Sequence, residues 1–209
     1  SSAIRIVIAH LKGVGNWKIV DSAVQPVALG KDVFTQGSIS RETTVHCLKV
    51  LTMFIEMMDG LGVERNHVEV IATSALREAS NRDTFIDRVQ IVTGLNVKVV
   101  GGVEANHLTF LAVRHALKGG GLRFNQSNSV IMEVGGGSTE IMLLQRGKMV
   151  AAHTLHIGTV RMQQQVHAAL KTRSYIHSFV GDNAVTALDT LDDEMSLSKI
   201  KSFVAVGGD

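Results

Sequence analysis

Cysteine is nearly absent: Cys47 stands alone in 209 residues. An internal disulfide is excluded, and so is any metal centre built on cysteine. A lone cysteine of this kind reads as a small buried residue on a helix. It fits a reducing compartment, so a cytoplasmic location is expected. Proline occurs once, at Pro26, where it suggests a sheet edge or a bulge. No apolar run reaches the roughly 20 residues that span a bilayer, and no membrane partner is expected. Ser1 to Gly13 has neither a basic start nor a cleavage site, so it does not read as a secretory leader. Neither sign of charge dominates: 21 basic residues stand against 19 acidic ones, a formal net charge of +2. Without a basic block, nucleic acid is not an expected partner, and any polyanion must be caught by a local cluster of Arg and backbone N–H groups. The nine histidines form no metal box. His153 and His156 fall on opposite faces of a strand pattern. His107 and His115 are too far apart along a helix to share an ion. No Cys-His or Ser-His-Asp arrangement can be argued from spacing.

What remains is a core-forming composition, 45% apolar and 19% charged, long enough for one large domain or two small ones. The chain opens on Ser-Ser-Ala without Met and stops just after a strand pattern, so both ends read as cut from something longer. Ile4 to Ala9 predicts a strand, and Trp17 to Leu29 a second and a third, with a turn at Gly13 and Gly15. Ser40 predicts an N-cap with Glu42 in the first turn. A helix follows on Val45, Leu48, Ile55 and Met58 and ends at Gly60 or Gly62. Val68 to Ala75 predicts a buried strand. Asn81 predicts the cap of a helix carrying Phe85, Ile86, Val89 and Val92, which stops at Gly94. A strand over 96–101 and a helix over 104–118, on Leu108, Leu111, Ala112 and His115, continue an α/β alternation. Residues 1–118 read as a first domain, 119–128 as a Gly/Asn/Ser linker, and 129–209 as the first part of a second. In that part 130–135, 139–144 and 149–156 predict strands, with a turn at Gly147. A helix starts near Thr159, and 202–206 is the last strand.

Two motifs carry chemistry. In Glu133-Val-Gly-Gly-Gly-Ser-Thr-Glu140 an acid ends one strand, three glycines turn the chain, and a second strand leaves at once. Glycines allow consecutive N–H groups to converge on an anion. Gly136, Gly137, Ser138 and Thr139 are the candidate phosphate ligands, the last two adding hydroxyls. Glu133 and Glu140 bracket the loop and are candidate Mg²⁺ ligands, directly or through water. In Ala72-Thr-Ser-Ala-Leu-Arg77 a buried strand delivers an arginine whose planar fork matches phosphate oxygens. Ser2 and Arg5, and the helix start at Gly158–Arg161, are weaker anion candidates.

Together these pieces resemble the Ppx/GppA phosphatases. Ala72 to Asn81 is similar to that family's arginine motif, Gly135 to Glu140 to its second phosphate loop, and Gly158 to Arg161 to its Gly-Ala-Val-Arg. Ser1 to Ala9 looks like the tail of its first phosphate turn, and Val204 to Gly208 like its late strand and glycine pair. The resemblance implies an α/β, ribonuclease-H-like (actin-like, ASKHA) fold whose two domains flank a cleft, the first domain here lacking its first strand. It implies Mg²⁺-dependent hydrolysis of a terminal phosphoanhydride of inorganic polyphosphate or guanosine pentaphosphate, and it leaves room for a homodimer of the full-length form. Arg77 would clamp the phosphate, the loop would cradle it, and Glu140 would help place metal or water. Glu133 stands where the family has Asp. The family's Gly-x-Glu-Glu-Ala-Arg-Leu reads here as Gly102-Val-Glu104-Ala105-Asn-His-Leu108. Without gaps, Ala105 falls on the catalytic acid; shifted by one, Glu104 does. The alternatives are a hydrolase with Glu104 as base, a polyphosphate- or nucleotide-binding protein that has lost hydrolysis, and a kinase or chaperone-like ATPase on the same fold.

Overall fold

A computed structural model describes residues 2–13, 16–117, 127–169 and 197–207, with 177–178, 180–182, 185, 189 and 192. The expected turn residue Gly15, most of the expected linker, and Ser1, Gly208 and Asp209 lie outside the described residues. The chain divides into two compact units, Ser1–Val100 and Gly101–Asp209.

In the first unit, β1 (Ala3–Gly13) and β2 (Asn16–Pro26) form an antiparallel ribbon. Pro26 ends β2, opposite Ala3, where its missing N–H costs no ladder bond. The bulges fall elsewhere, at Ile8/Ala9 and Leu11/Gly13. The expected third strand does not form: β2 runs unbroken to Pro26, and the chain then enters a helix, α1 (Leu29–Gln36), ended by Gly37. The 20-residue α2 (Arg41–Gly60) starts as expected: Ser40 Oγ accepts from Thr43 N at 3.1 Å. Its buried stripe is Cys47, Val50, Leu51, Phe54 and Met58, a 3.6-residue repeat facing one core. Val45, expected on that stripe, is exposed.

The expected strand over 68–75 shortens to β3 (Val70–Ala72), because the chain turns at Thr73 into the short helix α3 (Ser74–Glu78). β3 pairs in parallel with β4 (Val97–Val99). Between them, α4 (Arg82–Thr93) buries Phe85 and Val89, stops at Gly94 and leaves Val92 exposed. Asn81 precedes α4 but does not cap it. Its Oδ1 accepts from Ile39 N at 2.9 Å and its Nδ2 donates to Ile39 O at 2.8 Å, pinning two segments 42 residues apart. A long-range amide pair satisfies both ends of the side chain, whereas a cap uses one.

The second unit is a four-stranded sheet in the order β7-β6-β5-β8 among the described residues: β5 (Asn128–Val134), β6 (Thr139–Gln145) and β7 (Lys148–Leu155) run antiparallel, and β8 (Ile200–Gly207) joins β5 in parallel. β6 is buried from Thr139 to Leu144, as expected of a strand covered on both faces. On one face Ile131, Met142 and Leu144 pack with Phe110 and Val113 of α5 (Gly102–Ala116); on the other, Val130, Ile141 and Leu143 form a separate cluster. Those contacts place α5 with the second unit, whereas the sequence pattern had set the boundary at 118. The buried face of α5 is Asn106, Phe110 and Val113, not the expected stripe through Leu108, which is exposed. The helix α6 (Thr159–Ala169) follows β7. Among the described residues no helix is long and apolar enough to cross a membrane.

Candidate phosphate and carboxylate site

The turn between β5 and β6 is closed by Gly135 N donating to Ser138 O at 2.9 Å. Its carbonyls are taken by the start of α6. Thr159 N donates to Gly135 O (3.0 Å), and Val160 N and Arg161 N donate to Gly136 O (2.9 and 3.0 Å). The Arg161 Nε donates to Gly137 O at 2.9 Å. A trans peptide points its C=O and N–H in opposite directions. With the carbonyls of 135, 136 and 137 turned toward α6, the N–H groups of Gly136, Gly137 and Ser138 are turned away from it. Among the described residues no acceptor takes those three N–H groups. This is the anion nest expected from the glycines, now with a cause for its orientation.

The close docking depends on Gly158. A Cβ there would lie 2.4 Å from Gly136 O and 2.5 Å from the carbonyl carbons of Gly136 and Gly137. The α6 N-terminus, a weaker anion candidate in the sequence, has a structural role: its first N–H groups and the Arg161 Nε serve the loop's carbonyls. At the far side of β5, a Cβ on Gly207 would lie 2.3 Å from Val134 O, so β8 too approaches the loop as closely as backbone allows.

Cross-strand register places Thr154, Glu140 and Glu133 in one row across β7, β6 and β5. Directly paired residues project from the same face, and here it is the face α5 covers. Glu140 is buried, and its carboxylate is surrounded by donors. Ser138 Oγ donates to Oε1 at 3.0 Å, while Thr154 Oγ1 and, at 3.4 Å, Asn106 Nδ2 donate to Oε2. Glu133 is half-buried and takes one bond, from Thr109 Oγ1 to Oε2 at 2.6 Å. Mg²⁺ is commonly held by one or two carboxylates with waters and substrate phosphates completing its shell. A paired Glu133 and Glu140 suits that donor set, Glu133 with its Oε1 and Glu140 through water. Among the described residues no group of three or more His, Cys, Asp or Glu could hold a metal ion.

The hydroxyls read as phosphate donors face elsewhere: Ser138 donates to Glu140, and Thr139 Oγ1 to Ile157 O at 2.7 Å. Glu104, read as a base, is exposed in the first turn of α5. It lies two residues before Asn106, about 200° around the helix, so it is off the face that meets Glu140 and Glu133. Asn106, Thr109 and Thr154 are contacts that sequence reasoning missed; the one available signal was a polar residue interrupting the apolar side of α5.

Ser2 and Arg77 belong to the first unit. Ser2 is exposed just before β1, and its carbonyl accepts from Val27 N at 2.9 Å. Arg77 sits in α3 at the carboxyl ends of β3 and β4, its Nη1 donating to Val100 O at 3.2 Å.

The Ppx/GppA phosphatase family model matches residues 7–201. A bifunctional 3-dehydroquinate synthase/phosphatase of Fusobacterium nucleatum is 25% identical over 169 residues, covering 81% of this chain and 24% of that protein. Exopolyphosphatase 2 of Mycobacterium tuberculosis is 30% identical over 173 residues, covering 79% and 52%. An exopolyphosphatase from Cytophaga hutchinsonii has the same fold, with a TM-score of 0.81 at 21% identity over 99% of this chain and 64% of that one. The Aquifex aeolicus Ppx/GppA family member aligns at a TM-score of 0.70 and 26% identity, over 100% and 63%. The chain thus spans about a quarter to a half of these curated relatives. Its α/β architecture is the actin-like, ribonuclease-H-like one expected, and the chain belongs to the Ppx/GppA phosphatase family.

Proposed function

We propose that the chain forms part of a Mg²⁺-dependent hydrolase that removes the terminal phosphate of inorganic polyphosphate or guanosine pentaphosphate. The observation that carries this is the free N–H edge of Gly136–Ser138 beside the Glu133–Glu140 pair. Phosphoryl transfer needs chiefly positioning and neutralisation of charge. The three N–H groups supply both for one phosphate. Arg77 and Ser2 are further proposed phosphate donors, Arg77 as a bidentate clamp. Glu133 and Glu140 would hold Mg²⁺, which when bound neutralises phosphate oxygens. Glu140, oriented by three donors, helps place the attacking water; Glu104 is the rival base. Two relatives point the same way by name: exopolyphosphatase 2 of M. tuberculosis and a guanosine-5'-triphosphate,3'-diphosphate pyrophosphatase of Aliivibrio fischeri. Under this reading the protein is cytoplasmic, binds neither nucleic acid nor membrane, and is a homodimer in its full-length form.

A second reading, binding without turnover, rests only on Ala105, which leaves no carboxylate beside Asn106 on α5. Phosphate release by the full-length protein, with Mg²⁺ and either substrate, separates the two. Release from one substrate supports the hydrolase. Tight binding without release supports the binding protein. Absence of both sinks the assignment. Arg77→Ala should weaken substrate binding by about 1.5–3 kcal/mol, the range for hydrogen bonds to charged groups. Arg77→Lys should restore part of it; calorimetry showing both variants unchanged removes Arg77 from the site.

A further inference from the structure

Among the described residues, the one fully buried side-chain polar atom without a partner is Asn106 Oδ1. Asn106 is 4% exposed and lies on the face of α5 that covers the carboxylate row. Its amide orientation is determined by its neighbour. Glu140 Oε2, at 3.4 Å, is an acceptor, so only Nδ2 can face it, and Oδ1 must point away. A buried carbonyl oxygen left unmet is costly, and native structures meet such atoms with protein donors or ordered water. Packing does not require an asparagine here. The next residues on this face, Phe110 and Val113, are apolar, and a leucine of similar volume would fill the place without an orphaned oxygen.

We propose that Asn106 holds the attacking water. Nδ2 fixes Glu140, and Oδ1 accepts a hydrogen bond from a water lying between the amide and the phosphate in the Gly136–Ser138 cradle. This rests on the hydrolase reading. A neutral amide orients a water but cannot take its proton, so the two tasks divide. The water oxygen forms the new P–O bond as the bridging P–O bond breaks, and the electron pair leaves on the bridging oxygen of the shortened chain. One water proton passes to a phosphate oxygen and then to solvent. Asn106 thereby takes a positioning duty on α5 at a point where Ala105 offers no carboxylate.

The test uses the full-length protein with Asn106→Leu and Asn106→Ala, assayed for phosphate release from polyphosphate and for thermal unfolding. Asn106→Leu should lower kcat about tenfold, as expected from losing one neutral hydrogen bond in the transition state. KM should stay within about twofold, and the melting temperature should hold or rise, because the orphaned oxygen is gone. Asn106→Ala should show the same kcat loss, and it stands alone if the leucine variant does not fold. A kcat within about twofold of wild type in either folded variant overturns the proposal. So does a kcat loss that merely tracks a lowered melting temperature in both, which marks a structural role. If the wild type releases phosphate, these failures concern Asn106 only; if it releases none, the hydrolase reading falls and this proposal with it.

Discussion

Gly158→Ala tests the central geometric claim, that α6 orients the phosphate loop by docking onto its carbonyls. The added methyl would sit 2.4–2.5 Å from Gly136 O and the Gly136 and Gly137 carbonyl carbons. Ordinary contact needs about 3.5–4.0 Å, so loop and helix must part by more than about 1 Å. The obstructing atoms are backbone, and no rotamer change relieves them. Overpacking of this kind costs about 1–3 kcal/mol. The separation also stretches four hydrogen bonds, from Thr159 N, Val160 N, Arg161 N and Arg161 Nε. Losing two of them adds about 1–3 kcal/mol at the usual net value per bond. A total of about 2–6 kcal/mol corresponds to a fall of roughly 4–24 °C in melting temperature for a chain of this size. Phosphate affinity should fall with it, since the N–H groups are no longer held turned away from α6. Circular dichroism melts and calorimetric titration with phosphate read the two effects. Gly60→Ala is the control: an added Cβ there meets nothing within 4 Å. A Gly158→Ala protein that melts within about 1 °C of wild type and binds phosphate equally would refute the docking argument.

Two further outcomes concern the first unit. Burial pushes the Cys47 thiol up to about 12, well above the ordinary thiol value, with the nearby Asp32 charge adding to the rise. Its thiolate fraction is then lowered about a thousandfold, and alkylation at pH 8 should be negligible in the native protein but complete in denaturant; native-state labelling at the denatured rate contradicts the buried position. For Asp32, burial pushes the carboxyl up, but hydrogen bonds from Ser40 and Thr43 outweigh it and hold it below the ordinary carboxylate range. Its stabilisation is therefore full above the unfolded value and lost as pH falls through the folded one. Asp32→Asn should lower the melting temperature at pH 7, and the gap from wild type should close as pH falls below the ordinary carboxylate range; a gap independent of pH would count against this.

Local signals read well wherever the deciding physics was local. Ser40 caps α2 and Gly94 ends α4 because caps depend on a few adjacent residues. The three strands of the β5–β7 meander lie where their apolar runs and turn residues predict. The glycine loop announced an anion nest, since only glycine lets successive N–H groups converge. By contrast, the third strand expected within 17–29 does not form, because one long ladder with β1 carries β2 unbroken to Pro26. Asn81 had the composition of a cap, but a partner 42 residues away took its side chain. The stripe chosen for α5 ran through Leu108, whereas the sheet it covers selected Asn106, Phe110 and Val113.

The sequence by itself determined most of the element types, the glycine turn and the family, because these depend on periodicity, turn chemistry and motif spacing. Only the tertiary structure decided which way the loop's peptides face, that Ser138 and Thr139 spend their hydroxyl protons internally, that the α6 N-terminus serves the loop's carbonyls, and that Asn106 rather than Glu104 meets Glu140. Each of these is a choice of partner among groups distant in the chain, and hydrogen bonds are assigned by which groups the packed sheet and helices bring within about 3 Å.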